Sequence, residues 1–245
     1  MSQEIKFEEN DVIGEATLDV IAKADKFNRW MYQTIKPYCK GKTLEIGSGI
    51  GNISTFFLED DFEMVLTDIR QNYFEKLNQN FNQYSNFLGS EIMNLTDEDF
   101  DKKFEKHLGK YDTVFALNVV EHIKDDVLAI KNCKKLLKDN GHLIILVPSY
   151  QTLYNKFDKE LGHYRRYTKT SLSNIFKLNN FKIMHKQHFN FIGILGWYVT
   201  GSILKKESIP GGQMKLYNTL VPIFKIIDKL IANKIGLSTI VVGKK

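Results

Sequence analysis

The sequence predicts an α/β protein built on a seven-stranded, mostly parallel sheet. Three observations predict it. Short apolar runs with β-branched character recur along the chain, separated by stretches with helical spacing. Strands alternating with helices in this way form βαβ units, and βαβ units build parallel sheets. The first apolar run ends in a cluster of glycines, where a strand-to-helix turn belongs.

Residues 12–37 read as helical and aromatic-rich, ending near Pro37. The strands follow as KTLEI (42–46), EMVLTD (63–68), SNFLG (85–89), YDTVFALNVV (111–120) and GHLIILVPS (141–149). FKIMHKQHFN (181–190) is the sixth and LSTIVVGKK (237–245) the seventh. Helices are expected over Asn52–Glu59, Asn72–Phe81 and Asp125–Leu137, the last with Val127, Ile130, Cys133 and Leu137 on one face. Asp139-Asn140-Gly141 supplies a stop and a turn. With no internal repeat and no low-complexity linker, one domain over 1–245 is the better reading. It comprises a helical cap (1–39), a core (40–190 and 237–245) and a helical insertion (191–236).

Of 245 residues, 43% are apolar and 26% charged, enough apolar side chains to offset chain entropy, so bulk disorder is excluded. Sixteen glycines, four prolines and two cysteines exclude collagen-like and disulfide-scaffold classes. No run of 18 apolar residues occurs, so a spanning helix is not expected. The N-terminus, MSQEIKFEEND, is acidic and polar, unlike a secretory signal. Cys39 and Cys133 form no CxxC, and reduced thiols point to a cytoplasmic location. The net charge of +5 comes mostly from lysines interleaved with acids. That describes a solvated mixed surface rather than a nucleic-acid groove.

The first turn reads Glu45-Ile46-Gly47-Ser48-Gly49-Ile50-Gly51-Asn52. Glycines allow a tight turn and let a ligand approach the backbone, and the amides of the turn and the following helix can face that ligand. A dinucleotide fingerprint, GxGxxG, would need glycine at 52, where this chain has asparagine. No Gly-Lys-Ser/Thr follows, so a P-loop is excluded. The second strand ends in Asp68, seventeen residues after Gly51, where a carboxylate can accept both hydroxyls of a ribose. The plain alternative is an Asp that caps the next helix.

The series LEIGSGIG, VLTD, YDTVFALNVVEHI and GHLIILVP resembles the class I (Rossmann-like) S-adenosylmethionine-dependent methyltransferases, and within them the small-molecule branch that includes ubiquinone-type O-methyltransferases. The resemblance covers roughly residues 40–150. It implies helices on both faces of the sheet and an antiparallel last strand. It implies S-adenosyl-L-methionine as cofactor, with S-adenosyl-L-homocysteine as product and no metal. Gly47, Ser48, Gly49 and Gly51 match the loop around the methionine part. Glu45 matches the acid that organises its amino-acid end. Asp68 matches the ribose acid and Ile69 the apolar residue against the adenine. Past the third strand, Ser90, Glu91 and Ile92 are candidates near the adenine amino group, with Glu91 preferred over Ser90. Leu117-Asn118 matches the position of a backbone carbonyl beneath the cofactor's amino group. His122, of a Glu-His pair common there, is a general-base candidate or a structural residue at the helix start. The Asn/Asp-Pro-Pro-aromatic and Pro-Cys signatures of nucleobase methylation are absent.

The segment PSYQTLYNKFDKELGHYRRYTKTSL (148–172) holds two of the four arginines, Arg165 and Arg166, beside His163, Tyr164 and Tyr167. Loops at this end of a parallel sheet line the active site, and a guanidinium pair suits a carboxylate or phosphate. Tyr164, Arg165, Arg166 and Tyr167 are therefore candidates to hold an anionic acceptor, with His163 the preferred base. The alternative is a structural salt bridge and a helix starting at Thr168–Thr170. The insertion carries the apolar run 191–204, a turn at 210–212 and a helical stripe of Leu216, Leu220, Phe224, Ile227 and Leu230-Ile231. Pro222 should kink or start that helix. Three roles stay open for it: a cap on the active site, a dimer contact, or an interfacial helix pair on the inner face of a membrane.

The expected function is methyl transfer to a small or lipid-/glycan-linked acceptor, at oxygen, by a monomer or homodimer. The rivals are a non-catalytic S-adenosylmethionine-binding protein and an RNA methyltransferase. A nicotinamide-dependent oxidoreductase is the more distant rival, because the third glycine is misplaced.

Overall fold

The structure, a computed structural model, describes residues 12–204 and 211–245. The expected features of 1–11 and the turn residue Pro210 lie outside them. Two helices, α1 (Val12–Ala22) and α2 (Asp25–Ile35), precede β1 (Thr43–Ile46). Then come α3 (Ser54–Glu59), β2 (Met64–Asp68), α4 (Gln71–Phe81), β3 (Phe87–Ile92) and α5 (Phe100–Lys103). The chain continues through β4 (Tyr111–Leu117), α6 (Asp126–Leu136), β5 (Leu137–Pro148), α7 (Lys156–Glu160) and α8 (Lys169–Leu178). It ends with β6 (Lys182–Phe189), α9 (Phe191–Trp197), a π-helical segment Tyr198–Ile203, α10 (Gly211–Leu230) and β7 (Ser238–Lys244).

The seven strands order as β3-β2-β1-β4-β5-β7-β6. The pairs from β3 through β5 are parallel, and β7 is antiparallel to both β5 and β6. This is the expected α/β, Rossmann-like sheet. Every residue of β1 and β2 is buried, the polar Thr43, Glu45, Thr67 and Asp68 included, as expected of strands covered on both faces. Edge strand β6 alternates over most of its length. Side chains leave the sheet alternately into two cores. Val114 and Ala116 join the layer with Ile130 and Cys133, and Phe115 joins the layer with Phe57 and Trp30.

Several local expectations change. The 12–37 helix is two helices, parted at Lys23-Ala24, with α2 sending Trp30, Met31, Tyr32 and Ile35 into the core. The third strand runs on to Ile92 past a register shift at Gly89, whose φ is +113°. On α6 the buried face is Ala129, Ile130, Cys133 and Leu136, and Val127 is exposed. The Asp139-Asn140-Gly141 turn lies inside β5 as an irregularity, with Asn140 at φ +65°.

The insertion is helical, but the stripe is rotated. Leu216 and Leu230 are exposed, whereas Met214, Val221, Phe224 and Asp228 face inward. Asp228 is buried because its carboxylate accepts the backbone N–H groups of Asn190 (2.6 Å) and Phe191 (2.8 Å), fixing α10 to the end of β6. Hydrophobic spacing alone misses a polar residue used this way. The helix neither starts nor stops at Pro222, which sits inside it. Among the described residues no helix is long and apolar enough to cross a membrane.

Candidate active site

The strand order reverses between β1 and β4, and a crevice forms where neighbouring strands send their chains to opposite sides. There a cavity of about 430 Å³ opens at the C-terminal ends of the strands. Helix α1 crosses it through Gly14, Leu18 and Ile21, and α9 and α10 close it through Gly193, Trp197 and Met214. The insertion therefore caps the cavity, the first of its three expected roles.

On the β1–β2 side the glycine loop has left-handed backbone at Gly47 (φ +69°), Gly49 (+55°) and Gly51 (+88°). A Cβ at Gly47 would lie 2.4 Å from the Val119 side chain, and one at Gly51 2.2 Å from the Phe81 ring. Asp68 is buried on the cavity wall, accepting the amides of Gly49 (2.9 Å) and Arg70 (3.1 Å). Two of its roughly four acceptor directions are thus used, and the others remain for a ligand. Glu45 is also buried and accepts a hydrogen bond from the Ser54 hydroxyl. Burial pushes its carboxyl up to about 7, against the lowering effect of its hydrogen bonds.

The cavity wall includes Glu45, Gly47, Ser48, Gly49, Asp68, Ile69, Leu117 and Asn118, all expected from sequence. Gly51 stands behind the loop and shapes it. The candidates on the third strand are elsewhere. Glu91 pairs outside with Lys106 (2.7 Å) and His107 (2.8 Å), Ser90 bonds the Phe74 carbonyl (3.4 Å), and Ile92 is exposed. Because β3 is longer than its apolar run suggests, the wall is formed by Met93, Asn94, Leu95 and Thr96.

On the β4–β5 side, a single helical turn (Val120–His122) follows β4 and delivers Glu121 and His122 to the cavity. His163 arrives from the loop after α7, with its ring 4.6 Å from that of His122 and edge-on to it. Its Nδ1 is 2.8 Å from Asp158 Oδ1. Asp158 also receives Nε–H of Arg166 at 2.7 Å. Burial would raise the Asp158 carboxyl, but His163 and Arg166 outweigh it and hold it below the usual range. Burial, then the neighbouring His163 and Arg70, lower His122 to about 3. Burial raises Glu121 to about 8, and no donor among the described residues reaches either of its carboxylate oxygens. Sequence reasoning missed Glu121 and Asp158. The "NxxD" of Asn155 and Asp158 is a visible capping box, but nothing in it announces that Asp158 also serves His163 and Arg166.

The GHYRRY segment splits between site and scaffold. His163 and Arg166 line the cavity, Arg166 stacking 4.6 Å over the Trp197 ring and giving Nη1–H to the Ser149 carbonyl (3.1 Å). Arg165 turns away to Asp126 (2.7 Å) and the Lys124 carbonyl (2.7 Å). Tyr167 is in the core with its hydroxyl on Asp126 (2.8 Å), and Tyr164 is exposed. Thr168 caps α8, so a salt bridge and a helix start do account for part of the segment.

Residues 44–143 match the family described as a methyltransferase domain. A highly reducing polyketide synthase of Aspergillus carbonarius is 30% identical over 120 residues, covering 43% of this chain and 5% of that protein. The chain thus spans only a small fraction of the curated relatives it matches. Among solved structures, an S-adenosylmethionine-dependent methyltransferase from Archaeoglobus fulgidus aligns over 89% of this chain and 94% of its own, with TM-score 0.58 and 16% identity. Phosphoethanolamine N-methyltransferase 2 of Haemonchus contortus, bound to S-adenosyl-L-methionine, aligns over 89% and 52%, with TM-score 0.59 and 17% identity. The fold is thus shared with Rossmann-like methyltransferases, and residues 44–143, which include the glycine loop, match a methyltransferase domain. The cradle suits the cofactor S-adenosylmethionine: a loop where side chains would collide, and two buried carboxylates on one wall.

Proposed function

We propose that this enzyme methylates an oxygen of a small acceptor that bears a neighbouring carbonyl or carboxylate. The observation that carries the reading is the sharing of one cavity by the glycine loop with Asp68 and by the Glu121–His122–His163 group with Arg166. When bound, S-adenosylmethionine supplies an already activated methyl group, so the protein's work is positioning. Gly47, Ser48 and Gly49 would receive the methionine part. Glu45 would receive its ammonium and Asp68 the ribose hydroxyls. Ile69, Leu117 and Asn118 would complete the wall, as the resemblance implies.

The acceptor belongs on the opposite wall. Arg166 is held rigidly by Asp158 and Ser149 and offers its remaining N–H groups to an anionic or carbonyl oxygen. The acceptor's hydroxyl proton leaves at the imidazole–carboxylate group, where Asp158 fixes the orientation of His163. The matched polyketide synthases support an acceptor rich in carbonyl and hydroxyl groups. The apolar wall of Phe27, Met31, Trp197 and Met214 suits its carbon skeleton and keeps water from the reacting atoms.

The test is turnover with hydroxy-aryl carboxylates and β-ketoacyl thioesters, followed by mass spectrometry of the products. O-methylated product with release of S-adenosylhomocysteine is expected. Methylation at carbon or nitrogen would overturn the oxygen assignment.

A further inference from the structure

The sequence has no metal-ligand spacing, yet the fold brings Glu121, His122 and His163 together across a gap of some forty residues. We propose that these three residues bind a divalent transition-metal ion of the zinc class, with an open coordination position facing the acceptor side of the cavity. The methyl-transfer reading enters only in where the acceptor sits; metal binding itself stands without it.

The ligand atoms of the three side chains all lie within 4.8 Å of one another, so small rotations bring them onto one ion. Glu121 is fully buried with both carboxylate oxygens lacking a hydrogen-bond partner among the described residues. A buried carboxyl group is ion-paired, hydrogen-bonded, protonated or metal-bound, and neither carboxylate oxygen of Glu121 has a hydrogen-bond partner among the described residues. Arg166 acts on it only through space, because it directs Nε to Asp158 and Nη1 to the Ser149 carbonyl. Asp158 and Arg166 pair with each other, which leaves the Glu121 oxygens available to an ion that would replace the proton.

The second imidazole is prepared for the role. With Nδ1–H of His163 donated to Asp158 at 2.8 Å, Nε2 carries the free lone pair. A carboxylate behind a histidine is the usual support of a metal ligand, fixing tautomer and ring orientation. Two imidazoles and one carboxylate are a nitrogen/oxygen donor set suited to zinc. Three protein ligands rather than four are the mark of a site that keeps a position open for water or substrate. All three residues line the cavity, so that position faces the acceptor. There the ion would lower the pKa of a bound hydroxyl, whose proton would pass to water. In the metal-loaded protein His163 is thus a ligand, and the base role given to it above belongs to the metal-free form.

The experiment uses the full chain, stripped with a chelator and dialysed against Zn²⁺, with bound metal counted by mass spectrometry. Co²⁺ replaces Zn²⁺ in a parallel sample for its visible ligand-field absorption. About one ion per chain and tetrahedral-type Co²⁺ bands are expected. Glu121→Gln and His163→Gln should abolish both signals. Asp158→Asn should weaken affinity about 10–100-fold through loss of orientation. Binding well below one equivalent by the unaltered chain would overturn the proposal, with no variant needed. So would full binding by Glu121→Gln, which would put the ion elsewhere. S-adenosylhomocysteine titration separates the two readings. Cofactor binding without metal binding sinks this proposal and leaves the methyltransferase standing, and metal binding without cofactor binding does the reverse.

Discussion

The Asp68 carboxylate accepts the backbone N–H of Gly49 at 2.9 Å, so the end of β2 and the loop after β1 are held as one unit. The residue proposed to take the ribose therefore also sets the shape of the loop proposed to take the methionine part. Asp68→Ala removes both functions. With a charge-assisted hydrogen bond worth about 1.5–3 kcal/mol, calorimetry should show S-adenosylmethionine affinity falling by at least tenfold. Unchanged affinity would remove Asp68 from the site.

Gly51→Ala tests the loop from behind. The new Cβ would meet the Phe81 ring at 2.2 Å while the backbone stays at φ +88°. Overpacking of this kind costs about 1–3 kcal/mol, which lowers the melting temperature by a few degrees per kcal/mol in a chain of this size. A melting temperature equal to that of the unaltered protein would show that the loop yields freely.

Glu45, proposed to receive the cofactor's ammonium, should give its binding a pH dependence. Its carboxyl is held at about 7 by burial, and only the ionised form can receive an ammonium. Affinity for S-adenosylmethionine should weaken as pH falls below about 7, by up to tenfold per unit. Stability of the cofactor-free protein should move oppositely. A folded-state pKa above the ordinary 4.5 means that the folded form binds the extra proton. That contribution is full below about 4.5 and is lost as pH rises through about 7. Titrations from pH 6 to 8 on the protein and on Glu45→Gln check both signs. A slope that survives in the variant would assign the effect to another group.

The two adjacent arginines should behave unlike each other. Arg165 is about one-third exposed and pairs with Asp126, which keeps the Tyr167 hydroxyl as a second partner, so Arg165→Ala should cost less in urea unfolding than Arg166→Ala. Arg166→Ala would leave Asp158 buried without its guanidinium, a loss of about 3–5 kcal/mol. Arg166→Lys keeps the charge but not the fork that reaches Asp158 and Ser149 together. It should fold better than the alanine variant and still lose acceptor turnover. Unimpaired turnover would take Arg166 out of acceptor binding.

Much of this could be seen in the chain itself, and the exceptions share a cause. The strands of the buried sheet announce themselves as short runs rich in apolar and β-branched residues, and the polar exceptions Glu45 and Asp68 stand at the cavity. The glycine loop is visible because its backbone angles admit little else. Glu91 looked right for the adenine because a carboxylate there is chemically suitable, but β3 continues three residues past its apolar run and carries Glu91 out to Lys106 and His107. Asp228, Asp158 and Glu121 were hidden for another reason. Asp228 is buried by backbone donors 37 and 38 residues away, and Asp158 by side chains that a loop turns back onto it. Glu121 is buried by packing, with no hydrogen-bond partner for its carboxylate among the described residues, and hydrophobic spacing records none of these.

The position of β7 has a consequence for the order in which the molecule is assembled. The strand is synthesised after β6, yet it sits between β5 and β6. Until Ser238–Lys244 leave the ribosome, β6 has no ladder to join and the flank of β5 is bare. Residues 191–236 are then a leash, whose length sets how far the closing strand must search. In the folded protein Asp228 clamps α10 to Asn190, which shortens the free span between β6 and β7. The helices that roof the cavity would thus also act as a folding guide, and the last two ladders of the sheet would close together.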